Sequence, residues 1–208
     1  IIYFLFVPKI TLAFGIIIIR KLRSAVNSCD AKTHMEESTL VTSQKITHSE
    51  TEKLKLSNVT LVAVATRGVE ETLQALMHSC KEIEFGSVKL LAHFTPFGMG
   101  DEVDHIRVQK MKDIDEWSHF IVYKLSQHIQ TEYILLVHAD GFVVNTLEWR
   151  DEFLNYDYIG APWPLPTDDF SYRDIHGEIV RVGNSVSLRS KRLLELPTKL
   201  GIPWEADH

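Results

Sequence analysis

The chain has 208 residues, enough for a short leader and one domain of ordinary size with an ample core. Its formal net charge of −6 and pI near 5.9 exclude the basic patch or alkaline domain of a nucleic-acid-binding surface. The two cysteines, Cys29 and Cys80, lie far apart with no CxxC or Cys/His spacing, which excludes a disulfide framework and a structural zinc site.

Residues 1–19 are almost wholly apolar, interrupted by Pro8, Lys9 and Gly15 and closed by Arg20-Lys21-Leu22-Arg23. As a helix this stretch spans roughly 28 Å, about the hydrocarbon thickness of a bilayer, so 1–23 is expected to be a hydrophobic helix and a single-pass membrane anchor. Lys9 near mid-membrane would cost roughly 2.5–3.5 kcal/mol, which the surrounding Ile, Leu and Phe offset. A translated non-coding leader and a signal-like segment are the alternatives. The basic cluster on the carboxyl side favours the cytosol there and leaves the orientation of a lumenal domain open. Residues 24–58 turn polar and charged with little periodicity, as a linker or stem does. Asn58-Val59-Thr60 matches a glycosylation acceptor. The chain opens at Ile1 without an initiator Met and closes at His208, and it reads as a fragment.

The folded domain is expected over 59–208. It opens with the β-rich run Val-Thr-Leu-Val-Ala-Val-Ala at 59–65, which ends in Thr66-Arg67-Gly68. Leu73, Leu76, Met77 and Cys80 then recur at helical spacing, and Glu70 and Glu71 occupy the first turn, where the helix dipole favours them. Cys80 on that stripe is a packed residue. Residues 88–94 form a second strand and 106–111 a weaker third, and Trp117, Ile121, Leu125 and Ile129 mark one face of a second helix. Strands and helices alternating at this spacing imply an α/β fold with a mostly parallel central sheet and flanking helices.

The next strand, Tyr133-Ile134-Leu135-Leu136-Val137, is apolar without alternation, as a strand buried on both faces reads. His138, Asp140 and Gly141 break it at its carboxyl end, and in open α/β sheets ligands bind in the crevice outside the carboxyl ends of the strands. Asp140 exposed there suits Mg²⁺ or Mn²⁺, which take one or two protein carboxylates together with substrate phosphates. Asp140-Gly141 reads equally as a tight turn into a strand-like segment at 142–145.

Beyond Asn145 a short amphipathic helix is expected at 149–156. The segment 157–166 carries Pro162, Pro164 and Pro166, which argue against regular structure and for a Pro-locked aromatic loop. Residues 171–181 read as a polar excursion, 182–190 as a short strand, and 191–196 as a last helix stopped by Pro197. His93, His105 and His119 are scattered, whereas a metal-dependent hydrolase would want His and Asp clustered at strand ends.

Three blocks carry a resemblance to a known family: Leu-Val-His-Ala-Asp-Gly at 136–141, Tyr-Asp-Tyr-Ile-Gly-Ala-Pro-Trp at 156–163, and Val-Gly-Asn-Ser-Val-Ser-Leu-Arg-Ser-Lys-Arg at 182–192. Together they resemble domain-of-unknown-function family 5672, grouped with GT-A-fold glycosyltransferases, over about 59 to the chain end. The resemblance implies a GT-A-like, Rossmann-like sheet and a hexosyltransferase-type enzyme. Such an enzyme transfers a sugar from a nucleotide-diphosphate-sugar donor to a glycan, lipid or protein acceptor. It also implies a Golgi membrane location if the chain is eukaryotic, with a cytoplasmic protein as the alternative.

Residue by residue, Asp140 stands at the last position of the family's Asp-x-Asp metal motif and His138 at the first, so both are candidate ligands of Mn²⁺ or Mg²⁺ and candidate donor contacts. A neutral imidazole supplies no charge and favours softer metals, which makes His138 a departure from the pattern. Thr66 and Arg67 resemble the loop that meets base and ribose, Arg67 having surface pairing with Glu70 or Glu71 as its other reading. Trp163, held between two prolines, and Asn184 are candidate acceptor contacts, with Trp163 otherwise a plug over the sheet. Relatives carry Asn-Gly-Gly-Phe-Ser where this chain has Asn184-Ser185-Val186-Ser187. An acidic Asn-Glu-Asp segment follows the last helix in the family. Here Glu205 and Asp207 are the candidates for a catalytic base, against a reading as a frayed polar terminus. A fragment lacking that base would bind donor without transferring it. The alternative function is a non-catalytic carbohydrate-binding or scaffolding domain of the same fold.

Overall fold

A computed structural model describes residues 53–162, 173, 176–179 and 182–204. The expected anchor at 1–23, the stem as far as residue 52, Trp163, Glu205 and Asp207 lie outside the described residues, as does the side chain of Asn184. Among the described residues no helix is long and apolar enough to cross a membrane.

The described elements are β1 (Leu54–Ala65), α1 (Val69–Ser79), β2 (Ile83–Ala92), β3 (Asp104–Arg107), α2 (Ile114–Tyr123), β4 (Tyr133–Leu136), β5 (Tyr158–Pro162), β6 (Val182–Ser190) and α3 (Lys191–Lys199). Single 3-10 turns occupy Leu125–His128 and Asp151–Asn155. One six-stranded sheet runs in the order β3-β2-β1-β4-β6-β5. β3, β2, β1 and β4 pair in parallel, and β6 lies antiparallel to both β4 and β5. The sheet is thus α/β and mostly parallel, with β6 as its reversed strand.

Two cores lie on its two faces. Leu61, Ala63, Leu135, Val137 and Val186 pack with Val69, Leu73 and Leu76 of α1. Val62, Val64, Ile134 and Leu136 pack with Ile121 of α2, Leu125, Ile129 and Leu194 of α3. Successive residues of β1 and β4 alternate between these cores, which is why both strands read as unbroken apolar runs. Burial also pushes the Cys80 thiol up to about 11, so it stays protonated and packs as a small apolar residue, as its place on the helical stripe suggested.

Several boundaries differ from the sequence reading, each for a local reason. β1 starts at Leu54, inside the stretch expected to be stem, because Leu54 and Leu56 already pair with Ile83 and Phe85 of β2. The Asn58-Val59-Thr60 acceptor sequence is therefore inside a strand, with Thr60 buried and its Oγ1 2.7 Å from Thr131 Oγ1. The second helix ends at Tyr123 and the 3-10 turn carries Leu125 and Ile129 into the same core. Residues 142–145 are not a strand: Val143 N donates to Ser79 Oγ at 3.1 Å, laying the segment over the end of α1.

Two prolines stand inside regular elements. Residues 158–162 form strand β5 despite Pro162, because β5 is the sheet's outer strand and Pro162 is its last residue. Pro197 does not stop the last helix, since α3 runs on to Lys199. The helix closes instead on Gly201 (φ 61°), with Ile202 N bonded to Pro197 O at 3.0 Å and Gly201 N to Thr198 O at 3.2 Å, the paired bonds of a Schellman stop.

α3 is anchored at its start. The Ser190 side chain caps it by accepting from Leu193 N at 3.0 Å, and Ser190 Oγ donates to Asp157 Oδ1 at 2.5 Å while Arg192 pairs with the same carboxylate. The Arg192 hydrogen bond holds the Asp157 carboxyl below its ordinary value against a smaller opposing effect of burial. A depressed carboxyl contributes stability that is present above its unfolded pKa and lost as pH falls through its folded one. Asp157→Asn is therefore expected to lower the denaturant midpoint at neutral pH. The two proteins should converge on acidification through the carboxylate range, as followed by urea titration at several pH values.

Candidate functional site

From β1 the chain passes through α1 to β2 and on to β3, and then α2 returns it to β4 on the other side of β1. The direction of winding reverses between β1 and β4, and the crevice at such a switch point, outside the carboxyl ends of the strands, is where open α/β sheets bind ligands. Thr66 and Arg67 follow β1, and His138 and Asp140 follow β4. β6 runs antiparallel, so its first residues lie at this same end. The ladder between β4 and β6 ends at Leu136 opposite Ser187, with Asn184 three residues further toward the start of β6. β5 also ends here, at Pro162, paired with Val182. The topology thus gathers Thr66, Arg67, His138, Asp140 and Asn184 at one edge of the sheet.

Their side chains are not equally available. Thr66 is buried, and its Oγ1 both accepts from Met111 N at 3.2 Å and lies 3.4 Å from Met111 O. Arg67 Nη2 donates to Lys112 O at 2.6 Å; its partner is this carbonyl and neither Glu70 nor Glu71. Both residues thereby fasten the loop that leads into α2. That helix is closed at its start by Asp113 Oδ1, which accepts from Glu116 N at 2.9 Å, and by Glu116 Oε2, which accepts from Lys112 N at 2.8 Å.

One turn on, Trp117 Nε1 donates to Val64 O at 2.9 Å, and its ring lies 5.3 Å from that of His138 at 49°. The sequence had assigned Trp117 only to a helix face; its stripe position gives no sign that the indole N–H completes the end of β1 and supports His138. Arg189 was likewise missed in a strand read as small and polar. It is buried with its guanidinium carbon 5.2 Å from the centre of the Tyr158 ring, and burial lowers its pKa.

His138 and Gly141 bond reciprocally, N to O at 2.9 Å and 3.1 Å, so Ala139 and Asp140 are the two central residues of a tight turn. Asp140 is therefore an exposed residue of a tight turn at the carboxyl end of β4. Gly141 has to lack a side chain, because a Cβ there would lie 2.3 Å from Val186 Cγ2.

The β1–α1 turn is not built as a phosphate cradle. Gly68 at the N-cap offers no side-chain cap, and Glu70 and Glu71 stand in the first turn. A Cβ on Gly68 would lie 3.4 Å from Glu71 Oε2, so an acid occupies the place where free helix N–H groups would meet an anion. Among the described residues no group of three or more His, Cys, Asp and Glu is placed to hold a metal ion. Asp140 is the exposed carboxylate on the β4 side, and Glu70 and Glu71 are exposed at the start of α1 on the β1 side. That fits a hard cation held chiefly by substrate phosphates and water, and does not fit an all-protein metal cage.

A cavity of about 460 Å³ lies elsewhere, at the amino end of β4 and the start of α3. The crevice remains the better functional candidate because the switch-point geometry and the exposed acid converge there.

Replacing Trp117 by Phe is expected to leave Val64 O unsatisfied and cost about 1–2 kcal/mol in denaturant unfolding. Gly141→Ala should cost about 1–3 kcal/mol through overpacking. That cost should shrink when Val186→Ala is present, a coupling read from a double-mutant cycle.

Residues 102–197 match the model of a family described as "Protein of unknown function (DUF5672)". The span contains all three sequence blocks that carry the resemblance and is shorter than the expected 59 to chain end, leaving β1, α1 and β2 outside it. No curated protein matches the sequence. Among solved structures the chain is similar to 4-diphosphocytidyl-2C-methyl-D-erythritol synthase from Anaerococcus prevotii, at 9% identity and a TM-score of 0.40, over 75% of this chain and 79% of that one. A likeness this distant says nothing about function.

Proposed function

We propose that the domain is a GT-A-like glycosyltransferase domain that takes a nucleotide-diphosphate sugar in the crevice between the ends of β1 and β4. The observation that carries this reading is the placement of Arg67 and Asp140 on either side of the switch point, at the ends of paired parallel strands. The base and ribose would lie toward Arg67, whose guanidinium is exposed beyond its bond to Lys112 O. The diphosphate would lie toward Asp140. Mn²⁺ or Mg²⁺ carried in on the diphosphate would take Asp140 as its protein ligand and offset charge on the leaving group. His138, packed on Trp117, would shape the wall of the site more than it ligates the metal. Trp163 and Asn184 would meet a glycan, lipid or protein acceptor, and Glu205 or Asp207 would serve as the base. The apolar 1–19 segment would hold the domain at a membrane.

A second reading, a non-catalytic carbohydrate-binding or scaffolding domain, is favoured by one observation. Thr66 and Arg67 spend hydrogen bonds on Met111 and Lys112.

Calorimetric titration of nucleotide-diphosphate sugars with and without Mn²⁺ separates the two. The glycosyltransferase reading expects at least one donor to bind about tenfold more tightly with the metal, a gain removed by Asp140→Asn. No binding by any donor to a folded protein would sink it. Glycan binding insensitive to chelator and to Asp140→Ala would establish the second reading.

A further inference from the structure

The cavity of about 460 Å³ falls within the roughly 300–1,000 Å³ usual for small-molecule sites, and it belongs to no feature of the crevice. It opens beside Tyr133, the first residue of β4, and Ser190, the last of β6. Five strand steps separate Tyr133 from His138, so roughly 16 Å of sheet lies between this cavity and the Asp140 turn.

Its lining has no net charge. Glu132, Asp157 and Glu195 are matched by Lys191, Arg192 and Lys199. The matching is local as well: Arg192 pairs with Asp157, and Lys199 lies 2.6 Å and Lys191 3.9 Å from the Glu195 carboxylate. Each of the three cations is thus already paired, so a phosphate entering here would have to break an existing pair, while Glu132 carries no ion pair among the described residues. Other groups remain uncommitted. The side chains of Gln130, Asn155 and Tyr156 line the cavity and make no hydrogen bond to the described residues. Two carboxamides, each both donor and acceptor, and a phenol with an apolar face suit a neutral ligand rich in hydroxyls, each of which also donates and accepts. Six of its twelve lining residues carry charge, which disfavours a lipid.

We propose that this cavity is a binding site for a neutral saccharide, one or two sugar units long, at the opposite end of the sheet from the crevice. Asn155 and Gln130 hydrogen-bond the hydroxyls, the paired ions add fixed donors and acceptors, and Tyr156 covers the sugar's CH face. The site is independent of the donor reading: Asp140 takes no part in it.

The test uses the full ¹⁵N-labelled chain in detergent, titrated with maltose, lactose, cellobiose and N,N′-diacetylchitobiose, with inorganic phosphate and glucose 6-phosphate as anionic controls. At least one neutral disaccharide should shift the Asn155 and Tyr156 amide resonances saturably. Asn155→Ala and Tyr156→Ala should each weaken that binding about tenfold with the spectrum otherwise folded, and Asp140→Asn should leave it unchanged. No saturable shift at this end with any disaccharide overturns the proposal. So does a response to the anionic controls alone, which would make the cavity an anion site. Shifts confined to the crevice overturn it as well, while leaving the donor reading standing.

Discussion

The parallel pairing of β1 with β4 is the constraint on which the crevice depends. β4 has four residues, too few to hold its register by hydrogen bonds alone, yet Ile134, Leu135, Leu136 and the following Val137 are each no more than 4% exposed. At about 1.5–3 kcal/mol per fully buried aliphatic side chain, these four contribute at most roughly 6–12 kcal/mol. The net stability of a whole domain is about 5–15 kcal/mol. A slip of one residue would exchange the side chains facing α1 for those facing α2, so the strand has one register available. The position of His138 and Asp140 relative to Thr66 and Arg67 is therefore fixed by the core.

The shortness of β4 also has a cost that the surrounding chain meets. Val137 N still reaches Val62 O at 3.0 Å, but β4 turns away at His138, and Val64 O takes its hydrogen bond from Trp117 instead. Trp117 can do this only because the start of α2 is held against the end of β1 by Thr66 on Met111 and Arg67 on Lys112. Thr66 and Arg67 thus hold the loop before α2 in place, next to the turn that carries Asp140. On that turn no packing demand fixes the Asp140 side chain.

The parts of the fold legible in the sequence were those governed by burial on two faces. The runs at 59–65 and 133–137, the stripe of α1 and the alternation of strand and helix all follow from which residues must leave water. What escaped was governed by neighbours distant in sequence. Leu54 and Leu56 look like sparse apolar residues in a polar stem until β2 pairs with them. Pro162 argues against a strand until β5 proves to be the edge, where a missing N–H costs little. Pro197 argues for a helix stop, but it stands near the end of α3, where it forgoes one bond and the Gly201 closure takes up the carbonyls of Pro197 and Thr198. At the site, the Asp-Gly signal correctly gave a turn and the strand end correctly gave an exposed acid. Trp117 could not be read at all, because a helix stripe looks the same whether its tryptophan merely packs or also completes a strand.

The electrostatics of the crevice bear on what it can bind. Neighbouring strands are about 5 Å apart, so the turn after β4 and the turn after β1 lie side by side. Asp140 stands on one, and Glu70 and Glu71 stand in the first helical turn after the other, with the Glu71 carboxylate close over Gly68. The half-positive end of α1 is already neutralised by its own acids, so it offers an incoming diphosphate little. Arg67 supplies one positive charge to set against three acids. On the proposed reading, then, a diphosphate cannot bind here as a free anion without repulsion, and a divalent cation becomes a requirement of the charge balance. The same balance makes a saccharide without phosphate the ligand this edge would tolerate if no metal accompanies it. On that reading, the response of binding to a chelator would separate the two proposed functions.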